Sequence, residues 1–521
     1  MRRTAAVAIA LTAMASGLVS AVPSTAVGRS PSAPAGSASI AWKNCGDTNN
    51  PTMECAKISV PLDYAKPSGK KIRLALSRVP HTAAHSQGPL LVNPGGPGGS
   101  GLGLAGFVAR SLPKKVAAQY DIVGFDPRGV GSSEPALDCK PGYFKPIRPD
   151  SVPHSKAEES KNIQRAASFA KACGTKYGSL LKHIHTRDAV RDMDRIRAAL
   201  GAARINYFGY SYGTYLGAVY AKLFPQRVRR LVLDSIVDPN GVWYEDNISQ
   251  DYAFDARHRA FASWVAKNNT TYHLGTHGKD VLKKWYAMRE KMRTNPAKGK
   301  VGPAELEDSF IPGGYYNGYW PALAAGFSAY VRHGDQQALV DLYDNFGATD
   351  DTNGYSIYTS VQCRDAAWPR DWKTWHKDTE KVYAKAPFMA WNNAWYNAPC
   401  AFWPTTSLKP TNVSNNRIPA ALLFQATDDA ATPYSGGVAV HKLLKKSRLV
   451  VEEGGGNHGI TLSGNACLDK WLAKYLDTGA LPASRPGPDA TCKALPDPKP
   501  SATRKATGEG VDLHTLVSHR N

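Results

Sequence analysis

The segment Tyr207-Phe208-Gly209-Tyr210-Ser211-Tyr212-Gly213 joins an extended apolar run to a helical pattern and places a serine at the join. Ile205 to Phe208 are β-formers, and after the serine Leu216, Val219, Tyr220 and Leu223 recur as on one helix face. A strand turning directly into a helix crowds the positions two before and two after the turning residue, and Gly209 and Gly213 stand there. In such a turn Ser211 stands with its Oγ above the sheet edge, available as a nucleophile. Gly-x-Ser-x-Gly alone also fits a plain surface turn. The strand before it and the helix after it are what favour the reactive reading.

The rest of the chain continues that rhythm. Ile58/Val60/Leu62 and Ile72/Leu74/Leu76 alternate on either side of Lys66-Pro67-Ser68-Gly69, as in an antiparallel hairpin at a sheet edge. Buried strands are expected at Leu90–Asn93, Tyr120–Asp126, Ile205–Phe208 and Arg230–Asp234. A helix with Thr186 as N-cap is expected to run to Gly201. Strands alternating with helices argue a mostly parallel α/β sheet. From residue 240 to 410 helical patches dominate and ten of the twelve tryptophans gather; strands return at Ala420–Gln425 and Ser447–Glu452. The simplest organisation is one α/β core in two parts, 42–239 and 411–492, with a helical cap at 240–410 over the strand C-termini. The tryptophans are expected to serve chiefly as that cap's own core.

The ends point to export. Met1-Arg2-Arg3 followed by the apolar run Ala5 to Val22 has the plan of a secretory signal peptide, assigned to 1–26, with a flexible leader or propeptide at 27–41. No other stretch is long and apolar enough to span a bilayer. The eight cysteines fall into sequence-local couples, Cys45 and Cys55, Cys139 and Cys173, Cys363 and Cys400, Cys467 and Cys492, and contain no C-x-x-C. In an oxidising compartment they are expected to form four disulfides. Nearest-neighbour pairing is the simplest of the roughly one hundred connectivities open to them. The formal charge of +21 comes without a nucleic-acid-binding motif, so loose attraction to an anionic cell envelope is the simpler expectation. Residues 493–521 are rich in Pro, Lys and Ala and are expected to be a mobile basic tail.

A serine nucleophile needs a base, an acid to orient it, and donors for the developing oxyanion. Two loops after expected strands supply the first two in the order that a strand-to-helix elbow requires. Ala426 to Pro433 carries Asp428 and Asp429; Glu453 to Gly459 carries His458 among glycines. A third loop, Asn93 to Gly101, fits two chemistries. Gly96-x-Gly98-x-x-Gly101, with Asp126 ending the next strand, matches a dinucleotide fingerprint. Pro97 and the export signal weigh against that, and an oxyanion loop of backbone N–H donors is the better reading. His183/His185 and His273/His277 lack a third ligand, so no metal site is expected, nor any cofactor.

Taken together, Pro94-Gly95-Gly96-Pro97-Gly98-Gly99, Phe125–Ser133, Gly209–Gly217, Asp429–Pro433 and Asn457-His458-Gly459 resemble the secreted bacterial tripeptidyl aminopeptidases, α/β-hydrolase serine peptidases related to prolyl aminopeptidases. The likeness runs in order from about residue 42 to 492. It implies an α/β-hydrolase fold with Ser211 as nucleophile, Asp429 as acid and His458 as base. It also implies oxyanion donors at Gly96 and Tyr212, and selects Asp429 over Asp428 by its spacing to Thr432-Pro433. Prolyl aminopeptidases carry a histidine where this chain has Pro94, and an apolar residue where it has Asp428. Asp126 and Arg128 are expected to pair, and Thr432 to support the Asp429 carboxylate.

An exopeptidase acting at free N-termini must hold an ammonium group, which when desolvated needs a paired carboxylate. Glu245, Asp246 and Asp365 are the candidates. The expected partners are therefore peptides or proteins with free N-termini. The triad does not separate a peptidase from a secreted esterase or lipase on the same scaffold. A non-catalytic envelope-binding protein is the third reading, disfavoured by the complete Ser, Asp and His set. Nothing in the sequence sets the oligomeric state.

Overall fold

The computed structural model describes residues 40–349, 352–502 and 511–517. The expected signal peptide, and all but the last two residues of the leader, lie outside the described residues.

Ten strands form one sheet: β1 (Lys43–Asn44), β2 (Glu54–Pro61), β3 (Lys71–Val79), β4 (Pro89–Asn93), β5 (Asp121–Phe125), β6 (Ile205–Ser211), β7 (Val228–Ile236), β8 (Leu422–Ala426), β9 (Arg448–Glu453) and β10 (Ala490–Lys493). Their spatial order is β1-β2-β3-β5-β4-β6-β7-β8-β9-β10. The expected hairpin is β2–β3, antiparallel, and β3 meets β5 antiparallel. From β5 to β10 every pairing is parallel.

The interior parallel strands β4, β6 and β8 are buried along their whole length, because helices cover both faces. Alternation then sorts their side chains into two cores. Leu91, Tyr207, Leu231, Leu423 and Leu449 pack on one face. Leu90, Val92, Phe208, Val232, Phe424 and Val450 pack on the other. The chain leaves β4 for β5 on one side and returns to β6 on the other. That topological switch puts the β4 and β6 loops side by side at the strand C-termini, where ligands bind in open α/β sheets.

Four helices matter for the site: α1 (Leu102–Ser111), α2 (Thr186–Ala199), α3 (Tyr212–Leu223) and α4 (Tyr244–Lys267). Helix α2 sits where expected, but its N-cap is His185, not Thr186; the His185 ring accepts from the Asp188 N–H at 3.3 Å. His185 is accordingly buried against Asp188. Between β7 and β8 the described chain is helical, and Trp264, Trp285 and Trp320 build a core of that block's own.

All eight cysteines pair with their nearest neighbours in the chain, as the simplest connectivity has it. Cys45–Cys55 joins β2 to the residue just after β1, where the two strands run antiparallel. Cys139–Cys173 and Cys363–Cys400 each close a loop between a helix and a separate segment, and all four of these residues are buried. Cys467–Cys492 fastens β10, at the sheet edge, to the helix that follows the histidine loop.

Two expectations fail here. The basic tail is not free along the described part: Trp264 Nε1 donates to the Pro498 carbonyl at 3.1 Å, and Leu513 and His514 are fully buried. Asp126 and Arg128 do not pair. Arg128 forms a two-point bridge to Asp192 at 2.7 Å for each bond. Asp126 instead accepts from Ser100 Oγ at 2.6 Å and from the Ser132 N–H at 2.8 Å. The acid that would have held a ribose thus clamps the glycine-rich loop to the following turn.

Candidate active site

Ser211 ends β6 at φ 56°, ψ −129°, a positive-φ backbone conformation that non-glycine residues avoid. The flanking glycines are required by contact. A Cβ on Gly209 would lie 2.5 Å from the Gly213 oxygen, and one on Gly213 would lie 2.8 Å from the Asn93 oxygen. Asn93, at the end of β4, also accepts from the Gly95 N–H at 3.0 Å, so one residue ties the glycine-rich loop to the serine turn. Gly95 packs so closely on that turn that an added Cβ would sit 2.8 Å from Ser211 Cβ and 3.0 Å from the Tyr212 nitrogen. This brings the backbone of Gly95-Gly96 and the start of α3 to the same point. Gly96, Ser211 and Tyr212 all line one cavity of about 330 Å³.

Asp429 and His458 meet after β8 and β9. His458 Nδ1 lies 2.9 Å from Asp429 Oδ2 and 3.1 Å from Oδ1. The other bonds to the carboxylate come from the Ala431 and Thr432 N–H groups at 2.9 and 3.0 Å, and from Thr432 Oγ1 at 3.0 Å. Of the two neighbours, Asp428 is exposed and Asp429 is buried. His458 is fully buried and its backbone N–H donates to the Tyr315 carbonyl at 2.8 Å. Its Nε2 makes no hydrogen bond here.

The histidine loop has a buried anchor that sequence reasoning missed. Asp234, near the end of β7, accepts from the Thr461 N–H at 2.8 Å, from Thr461 Oγ1 at 2.5 Å and from the Ile460 N–H at 3.2 Å. Burial pushes its carboxyl up to about 6, against those bonds. Ser235 Oγ accepts from the Gly459 N–H at 2.7 Å. β7, separated from β9 by β8 in the sheet, thus holds the loop that follows β9.

The three candidate ammonium partners separate. Glu245 and Asp246, in the first turn of α4, line the Ser211 cavity together with Asp238. Asp246 Oδ2 is shielded from solvent and makes no hydrogen bond. Burial, with Asp238 and Glu245 adding like charge, holds Asp246 well above the usual carboxylate range. Asp365 does not reach the cavity. It accepts from the Thr186 N–H at 2.9 Å and from Thr186 Oγ1, which in turn lies 2.7 Å from the Tyr212 hydroxyl. It props the serine turn from beneath, because the disulfide Cys363–Cys400 and the start of α2 enclose that end of its helix. Asp238 was missed as a cavity residue; its place between β7 and α4 is the only sequence signal.

Among the described residues no lysine, arginine or histidine lines the cavity, although the chain carries a formal charge of +21. Phe254, Tyr315, Met389 and Tyr396 add apolar and aromatic surface to the lining. Ser211 and the backbone of Gly96 and Tyr212 thus share the cavity with the carboxylates of Asp238, Glu245 and Asp246, while His458 lies buried outside its lining. Among the described residues no group of histidine, cysteine and acid side chains is placed to hold a metal ion.

Comparison with known proteins follows the same lines. A model of the alpha/beta hydrolase fold family matches residues 88–461. The chain is 44% identical over 481 residues to the tripeptidyl aminopeptidase of Streptomyces coelicolor, covering 89% of this chain and 87% of that protein. It is 32% identical to serine protease Hip1 of Mycobacterium tuberculosis, over 85% of this chain and 90% of that one. It is also 32% identical to a protein of the same species named Carboxylesterase B, covering 89% of this chain and 93% of the relative.

Proposed function

Because this chain belongs to the α/β-hydrolase family, among the serine peptidases related to tripeptidyl aminopeptidases, we propose that it is a secreted exopeptidase that releases short peptides, tripeptides above all, from free N-termini. The observation that carries this reading is the cavity at Ser211, acidic on one wall and lined by no basic side chain among the described residues. A substrate ammonium supplies the counter-charge that the shielded Asp246 carboxylate lacks, with Glu245 and Asp238 adding to the field.

In this reading Ser211 Oγ attacks the carbonyl of the last residue to be released, and His458 Nε2 takes the hydroxyl proton. Asp429, on Nδ1, keeps the ring oriented and stabilises the imidazolium. The N–H groups of Gly96 and Tyr212 face the developing oxyanion; one such donor is typically worth about 3 kcal/mol of the barrier. His458 then protonates the departing chain, leaving the short peptide esterified to Ser211. Water activated by the same ring releases it. An ammonium fixed at Asp246 sets how many residues reach Ser211. Export is supported by the four disulfides, the absence of free cysteines among the described residues, and the N-terminal sequence. The net positive charge supports loose attraction to an anionic envelope.

The relative named Carboxylesterase B favours a second reading, ester hydrolysis by the same triad. Purified protein tested on tripeptidyl, single-residue and N-blocked arylamides beside aryl esters separates the two, with Ser211→Ala as control. Fast turnover of free-amine tripeptidyl arylamide and little of the blocked one is expected. Ester cleavage without arylamide cleavage removes the peptidase reading.

A further inference from the structure

We infer that Arg257, carried by α4 outside the Ser211 cavity, is a positioning residue for His458. The inference rests on the triad reading, but not on the substrate being a peptide. Asp246, Gln250 and Arg257 are spaced i, i+4 and i+11, and so share one face of α4. Each meets a different part of the site. Asp246 lines the cavity. Gln250 Nε2 donates to the Ala431 carbonyl in the acid loop at 2.5 Å. Arg257 lies beneath the glycine run that leads to His458.

The contact at Gly456 is close. A Cβ there would fall 2.3 Å from Arg257 Cζ and 2.4 Å from Nη1, so only glycine lets the backbone lie on the guanidinium. The group also meets the Trp320 ring, 4.9 Å from its centroid. Arg257 Nε and Nη2 are buried and make no hydrogen bond. A buried cation without such bonds is costly, and a packing role alone would suit methionine or leucine better. The charges around it are acids from three segments: Asp428 and Asp429 in the acid loop, Glu452 at the end of β9, and Asp497 in the tail. Arg257 therefore places a buried positive charge against the carboxylates around the Asp429–His458 pair, and gives the histidine loop a flat surface to rest on. The other titratable groups facing the pair are Tyr315, whose ring meets the His458 ring edge-on at 5.5 Å, Asp234, through residues 460–461, and His514 of the tail helix.

The test uses the full-length protein with R257M, R257K, G456A and the double variant R257M/G456A. The readouts are the rate of Ser211 labelling by a fluorophosphonate, kcat and KM on an aryl ester, the pH profile of kcat, and a melting curve. R257M is expected to lower labelling and kcat by about tenfold or more while KM holds. Its acid limb should move to higher pH, because loss of the positive charge favours the protonated ring. R257K should keep the limb near its original place and recover part of the rate. G456A, which pushes the guanidinium away, should cost rate alone but add nothing in the R257M background. Wild-type labelling in R257M or in G456A overturns the inference, and so do additive losses with an unmoved limb. If R257M does not melt cooperatively, G456A and R257K decide the matter by labelling rate and acid limb. Failure of the wild-type protein to cleave arylamides, with the ester results as expected, would sink the peptide reading and leave this one standing.

Discussion

The fold treats two carboxylates of the candidate site, one buried behind the cavity and one lining it, in opposite ways. On the sheet side, Asp429 accepts from two backbone N–H groups and the Thr432 hydroxyl, and meets His458. On the helical side, Asp246 keeps one oxygen shielded and unbonded. Under the proposed function, the difference follows from what each would do. A group that orients a base through a reaction cycle gains from fixed bonds that cost no reorganisation. A group that must take up a ligand's charge gains from capacity left open, since an unmet buried charge is what makes the incoming partner favourable.

The largest effect expected is on the sheet side. Ser211→Ala should lower kcat on every substrate by about four orders of magnitude or more and abolish fluorophosphonate labelling. Residual turnover near the wild-type rate would place the nucleophile elsewhere. On the helical side the loss should be selective. Asp246→Asn should reduce kcat/KM for free-amine arylamides by about 10- to 100-fold, the worth of one charged hydrogen bond, and leave aryl-ester hydrolysis unchanged. Equal losses on both substrates would erase the contrast between the two carboxylates.

The pH dependence should divide in the same way. Asp246 is held above the ordinary carboxylate range in the free protein, so falling pH protonates it early and removes the partner of the substrate amine. KM for free-amine substrates should therefore rise as pH drops through that value, while KM for esters does not. Above about pH 8 the substrate amine itself loses charge, and only the peptide reaction should weaken. The smallest effect belongs to Thr432. Thr432→Val removes one hydroxyl bond to Asp429 and should cost about 1 kcal/mol, or roughly fivefold in kcat, with Thr432→Ser close to wild type. Full activity in the valine variant would show that the two backbone donors suffice.

The serine turn was legible because its constraints are local. Gly209, Ser211 and Gly213 fall within five residues, and the strand and helix around them announce themselves by period. The expected strand segments sit within a few residues of β2 to β9 for the same reason. The disulfides were less legible. Spacing made Cys45–Cys55, Cys139–Cys173, Cys363–Cys400 and Cys467–Cys492 the simplest pairing among many, and only the fold brings each pair together. Asp365 was misread because a carboxylate beside a cysteine gives no direction; the fold turns it under the serine towards Thr186. The tail was misread because its composition suits solvent, while the helical block happens to present Trp264 to Pro498.

The sequence by itself determined the type of chemistry. A strained serine turn and the ordered acid and histidine loops are short-range patterns, and steric and hydrogen-bond rules act on them residue by residue. Only the tertiary structure decided what surrounds that chemistry. Asp238, Glu245 and Asp246 become one acidic wall, and Arg257 meets Gly456, because α4 folds back over strand ends far from it in the chain. Proximity across some two hundred residues is set by packing of the whole core, and no local pattern carries it.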